Sequence, residues 1–242
     1  MRRAALAVVV AVTAAGCVRV SSAPPPDQGA ADRALMSAQE MVEARSLAFR
    51  SIVTADDLAD DWRVERDTDE RTGADADVVD RVVRACTVSP AEVVSVTSNT
   101  YVRTTATEDA LVATQDSARS FATVYADADE AATAFAAYAE DGWVGCVAGG
   151  LKEAGGEANI VDLAGQPLPG VRADRTTTGA RFAAVFDVDG KPVGVFLDLI
   201  VLRRDRVVGV LELSAVNRPF GDDVRADILD GVGGRLGTEP TG

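Results

Sequence analysis

Residues 180–188, 193–202 and 207–216 form three closely spaced runs rich in Val, Phe, Leu and Ala. Asp189-Gly190 separates the first two, and the polar stretch Arg203-Arg204-Asp205-Arg206 separates the second and third. Both connectors have hairpin chemistry, so the runs pair as consecutive antiparallel strands. No other feature constrains the fold as tightly, because a meander of this kind must lay an apolar face against something else.

The rest of the chain supplies the covering elements. Leu35, Ala38, Val42, Phe49 and Ile52 recur at helical spacing within residues 32–52 and predict an amphipathic helix with that face inward. Thr54 and Asp57 form a capping-box pattern that opens a short helix toward Trp62. Residues 56–80, with carboxylates interleaved among Arg63, Arg66, Arg71 and Gly73, read as a solvated face and loop. Val78, Val79, Val82 and Val83 lead a second helix into Cys86. Residues 117–125 alternate as a strand, with Arg119, Phe121, Thr123 and Tyr125 on one face and Ala118, Ala122 and Val124 on the other. Asp127 and Asp129 place carboxylates at the start of a helix carrying Ala131, Ala134, Phe135 and Tyr138 and ending near Gly142. Trp143 and Cys146 begin a further helix reaching Leu151, and Gly155-Gly156 and residues 167–170 are loop. The last helix runs from Asp222 through Val224, Ile228, Val232 and Leu236 to Gly237. The order implies an α+β fold: one domain, an antiparallel β-sheet with helices packed on one face.

Composition narrows the chemistry. The 242 residues include 24 Lys+Arg, 38 Asp+Glu and no His, for a net charge of −14. Such a surface cannot replace the counterions of a phosphate backbone, which excludes nucleic acid as a partner. Without histidine the commonest general base, the usual zinc imidazole and the Ser/His and Cys/His dyads are absent. Lys152 and Lys191 have no serine three residues upstream, so a Ser-Lys nucleophile is absent too. Paired carboxylates are the remaining acid/base chemistry, and a hydrolase built on them ranks below a binding role.

The N-terminus carries an address. Arg2 and Arg3 precede an uncharged apolar run over residues 4–15, too short for a bilayer, which needs ~20 residues. It suits an export signal. Ala14-Ala15-Gly16-Cys17 resembles the bacterial lipobox, in which Cys17 is acylated and the chain is cut before it; simple secretion is the other reading. Cleavage would remove Arg2 and Arg3 and leave 226 residues with 22 basic and 38 acidic side chains. An acidic body is repelled by anionic headgroups, so contact with the membrane should come from the lipid. Residues 17–31, with Ser21, Ser22, Pro24, Pro25, Pro26 and Gly29, read as a tether, 32–237 as the extracytoplasmic domain and 238–242 as a disordered tail.

With Cys17 assigned to lipid, Cys86 and Cys146 remain, 60 positions apart. A bridge between them would suit an oxidising compartment and stabilise the fold by ~4 kcal/mol. The alternative is two buried free thiols. Asp187-Val188-Asp189-Gly190 has the look of a calcium loop but lacks the glutamate such a loop requires, and reads as a hairpin turn. Gly231, Gly233, Gly234 and Gly237 close a helix rather than open one, which suits a fraying terminus and not a phosphate cradle. Neither a metal nor a cofactor is expected. Trp62, Trp143, Phe121, Phe135, Phe182, Phe186 and Phe196 sit at core spacing, although together they could line an apolar cavity.

Several stretches resemble actinobacterial envelope lipoproteins similar to the extracellular sensor domain of PknH-like receptor kinases. They are residues 52–58 with Trp62, the helix ending in Cys86, residues 120–125, residues 131–137 before Trp143 and Cys146, and residues 207–213 before the last helix. The resemblance covers about residues 50–236. It implies a helix-packed antiparallel sheet with a central groove and a Cys86 to Cys146 bridge. This chain departs from that family in having no kinase domain and one candidate disulfide where the kinase sensor has two. The expectation is a lipid-anchored, extracytoplasmic, non-catalytic module on the cell membrane that binds a small molecule, a lipid or an envelope protein. The rival is a lipid or glycolipid carrier, which requires an apolar cavity between sheet and helices.

Overall fold

The computed structural model describes residues 37–66, 78–87, 90, 92–105, 114–155, 160–171, 175–188 and 190–236. Their strands join into one antiparallel sheet. In chain order the elements are α1 (Ala38–Arg50), a 3-10 turn (Ala55–Asp57), β1 (Arg63–Arg66), α2 (Val78–Ala85), β2 (Val94–Thr97), β3 (Thr100–Thr105), β4 (Thr114–Val124), α3 (Ala128–Tyr138), α4 (Trp143–Gly155), β5 (Ile160–Pro167), β6 (Thr177–Val188), β7 (Lys191–Arg204), β8 (Val207–Val216) and α5 (Asp222–Leu236). The strand order is β1-β3-β4-β8-β7-β6-β5, with β2 beside β4 as well.

The expected hairpins are present. β7 turns into β8 through Asp205 and Arg206, with Asp205 in the left-handed region at φ 48°, as a two-residue hairpin requires. At the β6 to β7 turn the Asp187 carboxylate accepts a hydrogen bond from the Gly190 N–H at 2.7 Å; Asp189 lies outside the described residues. β2 and β3 pair with opposite ends of β4, Thr97 facing Phe121 and Tyr101 facing Ala118. The interruption between them is closed by Ser98, whose N–H donates to the Ser120 carbonyl at 2.8 Å while its hydroxyl accepts from the Ser120 N–H at 2.9 Å.

Cross-strand partners share a face of a sheet. The row Phe121, Val210, Val201 therefore lies on one side and the row Ser120, Leu211, Ile200 on the other. The first side packs against Val82 and Val83 of α2, Ala131, Ala134, Phe135 and Tyr138 of α3, and Trp143 and Val147 of α4. On the second side, Ile228 and Val232 of α5 and Ala44 and Ala48 of α1 cover the sheet. The α+β class and the antiparallel sheet stand as the sequence implies, but the helices divide between two faces instead of sharing one. β8 is apolar at nearly every position and buried along almost its whole length, so each of its sides needs a cover.

The α1 reading needs a second correction. Its buried side is Ala44 and Ala48 with Ile52 just beyond, whereas Val42 and Phe49, expected inward, are 67% and 46% exposed. The sheet beneath α1 presents Ala122, Val124 and Val207, with Gly209 beneath the Ser51 carbonyl. A helix approaches so shallow a surface only through small residues. The capping boxes are formed at Ser37 with Glu40 and at Thr54 with Asp57, the latter opening a single 3-10 turn. Asp127 caps α3 by accepting from the Asp129 and Glu130 N–H groups. Strands β1, β2, β3 and β5 were not legible, because short or exposed strands carry little apolar alternation.

α5 continues through Gly231, Gly233 and Gly234, three of the glycines read as fraying, and Gly237 lies outside the described residues. Gly231 is there for space: a Cβ on it would fall 2.5 Å from Asp57 Oδ1. Arg235 grips the Asp57 carboxylate and donates to the carbonyls of Ile52 at 2.7 Å and Arg50 at 3.2 Å, which ties α5 to the segment after α1. Among the described residues no helix is long and apolar enough to cross a membrane.

Two outcomes follow from these contacts. Gly231→Ala should displace Asp57 from Arg235 and cost about 1–3 kcal/mol in urea unfolding, the range for overpacking. Replacing Cys86 and Cys146 together with Ser should cost ~2–5 kcal/mol and lower the unfolding midpoint, and thiol titration of the unfolded, unreduced native chain should find neither of these thiols free.

Candidate functional site

Of the residues singled out in the sequence, Cys17 lies outside the described residues. Cys86, one residue past α2, and Cys146, in the first turn of α4, form a disulfide with their Cα atoms 5.8 Å apart. The bridge fastens α2 to α4 on the first face of the sheet. Val82 of α2 leaves no room for a side chain at Gly150 of α4, where a Cβ would come within 2.7 Å. A Cβ at Gly165 of β5 would meet Val144 at 2.8 Å and Phe182 at 2.9 Å. Trp143 stacks edge-on against Phe182 and Tyr138, with ring centroids 6.4 and 5.6 Å apart. Helix and sheet are in direct contact through this layer. Of the seven aromatics considered for a cavity, Trp62, Phe121, Phe135, Trp143 and Phe182 are core residues, and Phe186 and Phe196 are half-buried.

The chemistry-bearing groups missed by sequence reading are arginine–carboxylate clusters on the strands. On the first face, Arg119 of β4 and Glu212 of β8 are direct cross-strand partners, each 7% exposed, with their charged groups 3.2 Å apart. Beside them the hydroxyls of Ser117 and Ser214 lie 2.7 Å apart. On the second face, Asp198 of β7 is 1% exposed and takes two hydrogen bonds from Arg181, at 2.6 and 2.7 Å, and one from Arg225 of α5 at 3.1 Å. Arg225 also reaches Asp222 at 2.7 Å and the Pro169 carbonyl at 3.2 Å. Asp116 of β4, likewise 1% exposed, is held by Arg103 and Arg218, each at 2.7 Å. Arg103 lies in turn over the Trp62 ring at 5.0 Å.

A fourth cluster caps the first face near α2. Arg84 lies over Phe121 at 5.0 Å and bonds Asp80, Glu92 and Ser95. Burial opposes its charge, but Glu92 and Asp80 outweigh burial and hold the guanidinium more firmly protonated than usual. Burial raises the Glu92 carboxyl against the pull of Arg84. Burial likewise pushes the Tyr138 phenol well above its ordinary range. Arg181 is raised mainly by the hydrogen bonds it donates to Asp198, against the effect of burial.

These arrangements pair charges within the fold: a guanidinium–carboxylate pair makes charge-assisted, often bidentate hydrogen bonds that fix its geometry. Arg119 was legible as a warning in the sequence, since it falls on the same strand face as Phe121 and Tyr125. Its partner was not, because β4 and β8 are 93 residues apart at that pair.

No family model matches the chain, and no curated protein matches it. Among solved structures, LpqN, described as involved in cell envelope biogenesis of Mycobacterium tuberculosis, is similar at 14% identity over 73% of this chain and 75% of that one, with a TM-score of 0.31. So loose a superposition transfers neither a residue nor a role. The resemblance to PknH-like sensor domains has no counterpart in these comparisons.

If Glu212 serves charge balance, Glu212→Gln should cost about 3–5 kcal/mol by removing the negative charge that the buried Arg119 faces. The double replacement Arg119→Met with Glu212→Leu should recover most of that loss in chemical denaturation. A Glu212 kept for chemistry would give a stable but inactive variant instead.

Proposed function

We propose that this chain is a lipid-anchored, extracytoplasmic, non-catalytic binding module of a bacterial cell envelope. The observation that carries the reading is the Cys86 to Cys146 disulfide, which suits an oxidising compartment and agrees with the export signal and the lipobox ending at Cys17. The arginine pairing of Asp57, Asp80, Asp116, Asp198 and Glu212 supports a non-catalytic role. Each of these buried carboxylates is committed to structure. An anchored module then acts by presenting surface to a partner in the envelope, a protein or a small ligand.

The rival reading, a carrier of acylated lipid, draws less support. The close approach of Gly165 to Val144 and Phe182 sets α4 directly on the sheet where an acyl chain would lie, and that of Gly150 to Val82 closes α4 onto α2. Rigid packing there favours recognition at the surface over storage within.

Mass spectrometry of the membrane fraction from a host that exports the chain should find a mature N-terminus at diacylated Cys17. A soluble mature protein, or one cut elsewhere, would remove the anchor. Native mass spectrometry of the same material should show no stoichiometric lipid beyond the anchor itself, and a bound acyl lipid would restore the carrier.

A further inference from the structure

α1 turns Ala44 and Ala48 to the sheet, with Leu47 partly buried beside them, and leaves Met41, Val42 and Phe49 exposed. Ala44 and Ala48 are wholly buried, whereas Met41, Val42 and Phe49 are 41%, 67% and 46% exposed. Five large apolar side chains stand exposed among the described residues, and these three share one helix of 13 residues, which marks that helix as a contact surface. The seven-residue spacing of Val42 and Phe49 is two helical turns, so both lie along one line of the helix.

The charges beside that line indicate what covers it. Glu43 and Arg50 are also seven residues apart, the acid toward the N-terminus and the base toward the C-terminus. Neither has an ion-pair partner among the described residues. Glu43 accepts a hydrogen bond from Gln39 of its own helix at 3.2 Å, and the enclosed Nε of Arg50 has no hydrogen-bond partner. Laid antiparallel on a second copy of itself, the helix sets Val42 against the partner's Phe49 and Glu43 against the partner's Arg50. The two-fold axis repeats both contacts. Laid parallel, it would set Glu43 beside Glu43 and Arg50 beside Arg50, which repel. An anionic bilayer fits less well, because Glu40 and Glu43 occupy the first half of the helix and the chain carries a net charge of −14.

We infer that α1 is a self-association surface, through which two copies of this chain pair antiparallel about a two-fold axis near residue 46. The pairing does not require that Cys17 be lipidated, so it stands or falls apart from the anchor.

Cysteine trapping in the full-length chain carrying Cys17→Ser tests it, since Cys86 and Cys146 are already bonded to each other and no other thiol remains. Ser46 and Gln39 are both exposed. Near the axis, Ser46→Cys should meet its own copy and give a disulfide-linked dimer on mild oxidation. Gln39→Cys lies six to seven residues from the axis, which puts the two copies about 20 Å apart, and should give none. Adding Val42→Glu and Phe49→Glu to S46C should reduce the dimer to background while the circular dichroism spectrum stays unchanged, because both side chains are exposed. Glu43→Arg should weaken trapping, and combining it with Arg50→Glu should restore it by exchanging the charges. Trapping at Gln39→Cys as efficient as at Ser46→Cys, or trapping that survives the two glutamates, would overturn the pairing. So would the absence of a dimer with S46C, the result expected if a bilayer or another protein covers the stripe.

Discussion

β4 and β8 pair over nine positions, from Asp116 with Ala215 to Val124 with Val207, and almost every one of those residues is buried on whichever side it points. A strand pair closed off from water on both sides must hydrogen-bond its backbone completely and be covered twice. The two helix layers follow from that requirement. α2, α3 and α4 take one side, and α1 and α5 take the other. The mending of β2 and β3 at Ser98 follows as well, because a gap there would leave the Ser120 backbone unbonded in the core.

Double burial also explains the charges. A strand covered on both faces has no solvent side on which to place a carboxylate, so Asp116, Asp198 and Glu212 must each find an arginine within the fold. Asp198 draws one from its neighbour strand and one from α5, and so helps locate that helix on the sheet. Arg235 does the same at the other end of α5 through Asp57, where Gly231 supplies the clearance. Such pairs contribute little net stability compared with apolar residues of the same shape, but breaking one leaves a buried charge uncompensated. They therefore specify which helix sits where more than they strengthen the fold.

The two helices nearest the functional readings are held by contrasting means. α4 is bonded to α2 through Cys86 and Cys146 and packs on Val82 without clearance. α1 rests on the sheet through Ala44 and Ala48, with Leu47 packed beside them, and leaves Met41, Val42 and Phe49 exposed. One face is thus fixed by a covalent bond and close packing, while the other keeps an apolar stripe exposed among the described residues.

The sequence by itself determined the elements whose signals are local. Hairpin turns at Gly190 and Asp205, caps at Ser37, Thr54 and Asp127, and the apolar periodicity of α2, α3 and α5 each depend on neighbours within a few positions. The absence of histidine and the pairing of two cysteines were likewise legible without a fold. What only the tertiary structure decided is which side each element faces. The apolar line of α1 has the right period for a core helix, yet a period says nothing about direction, and the small residues Ala122 and Gly209 across the sheet selected the alanine side instead. The near-continuous apolar run of β8 held the clue to a two-sided sheet, but one of the two helices that cover its second side, α1, lies more than 150 residues earlier in the chain. The arginine–carboxylate pairs were hidden for the same reason: Arg119 finds Glu212 and Asp57 finds Arg235 only once distant strands and helices have been brought into register.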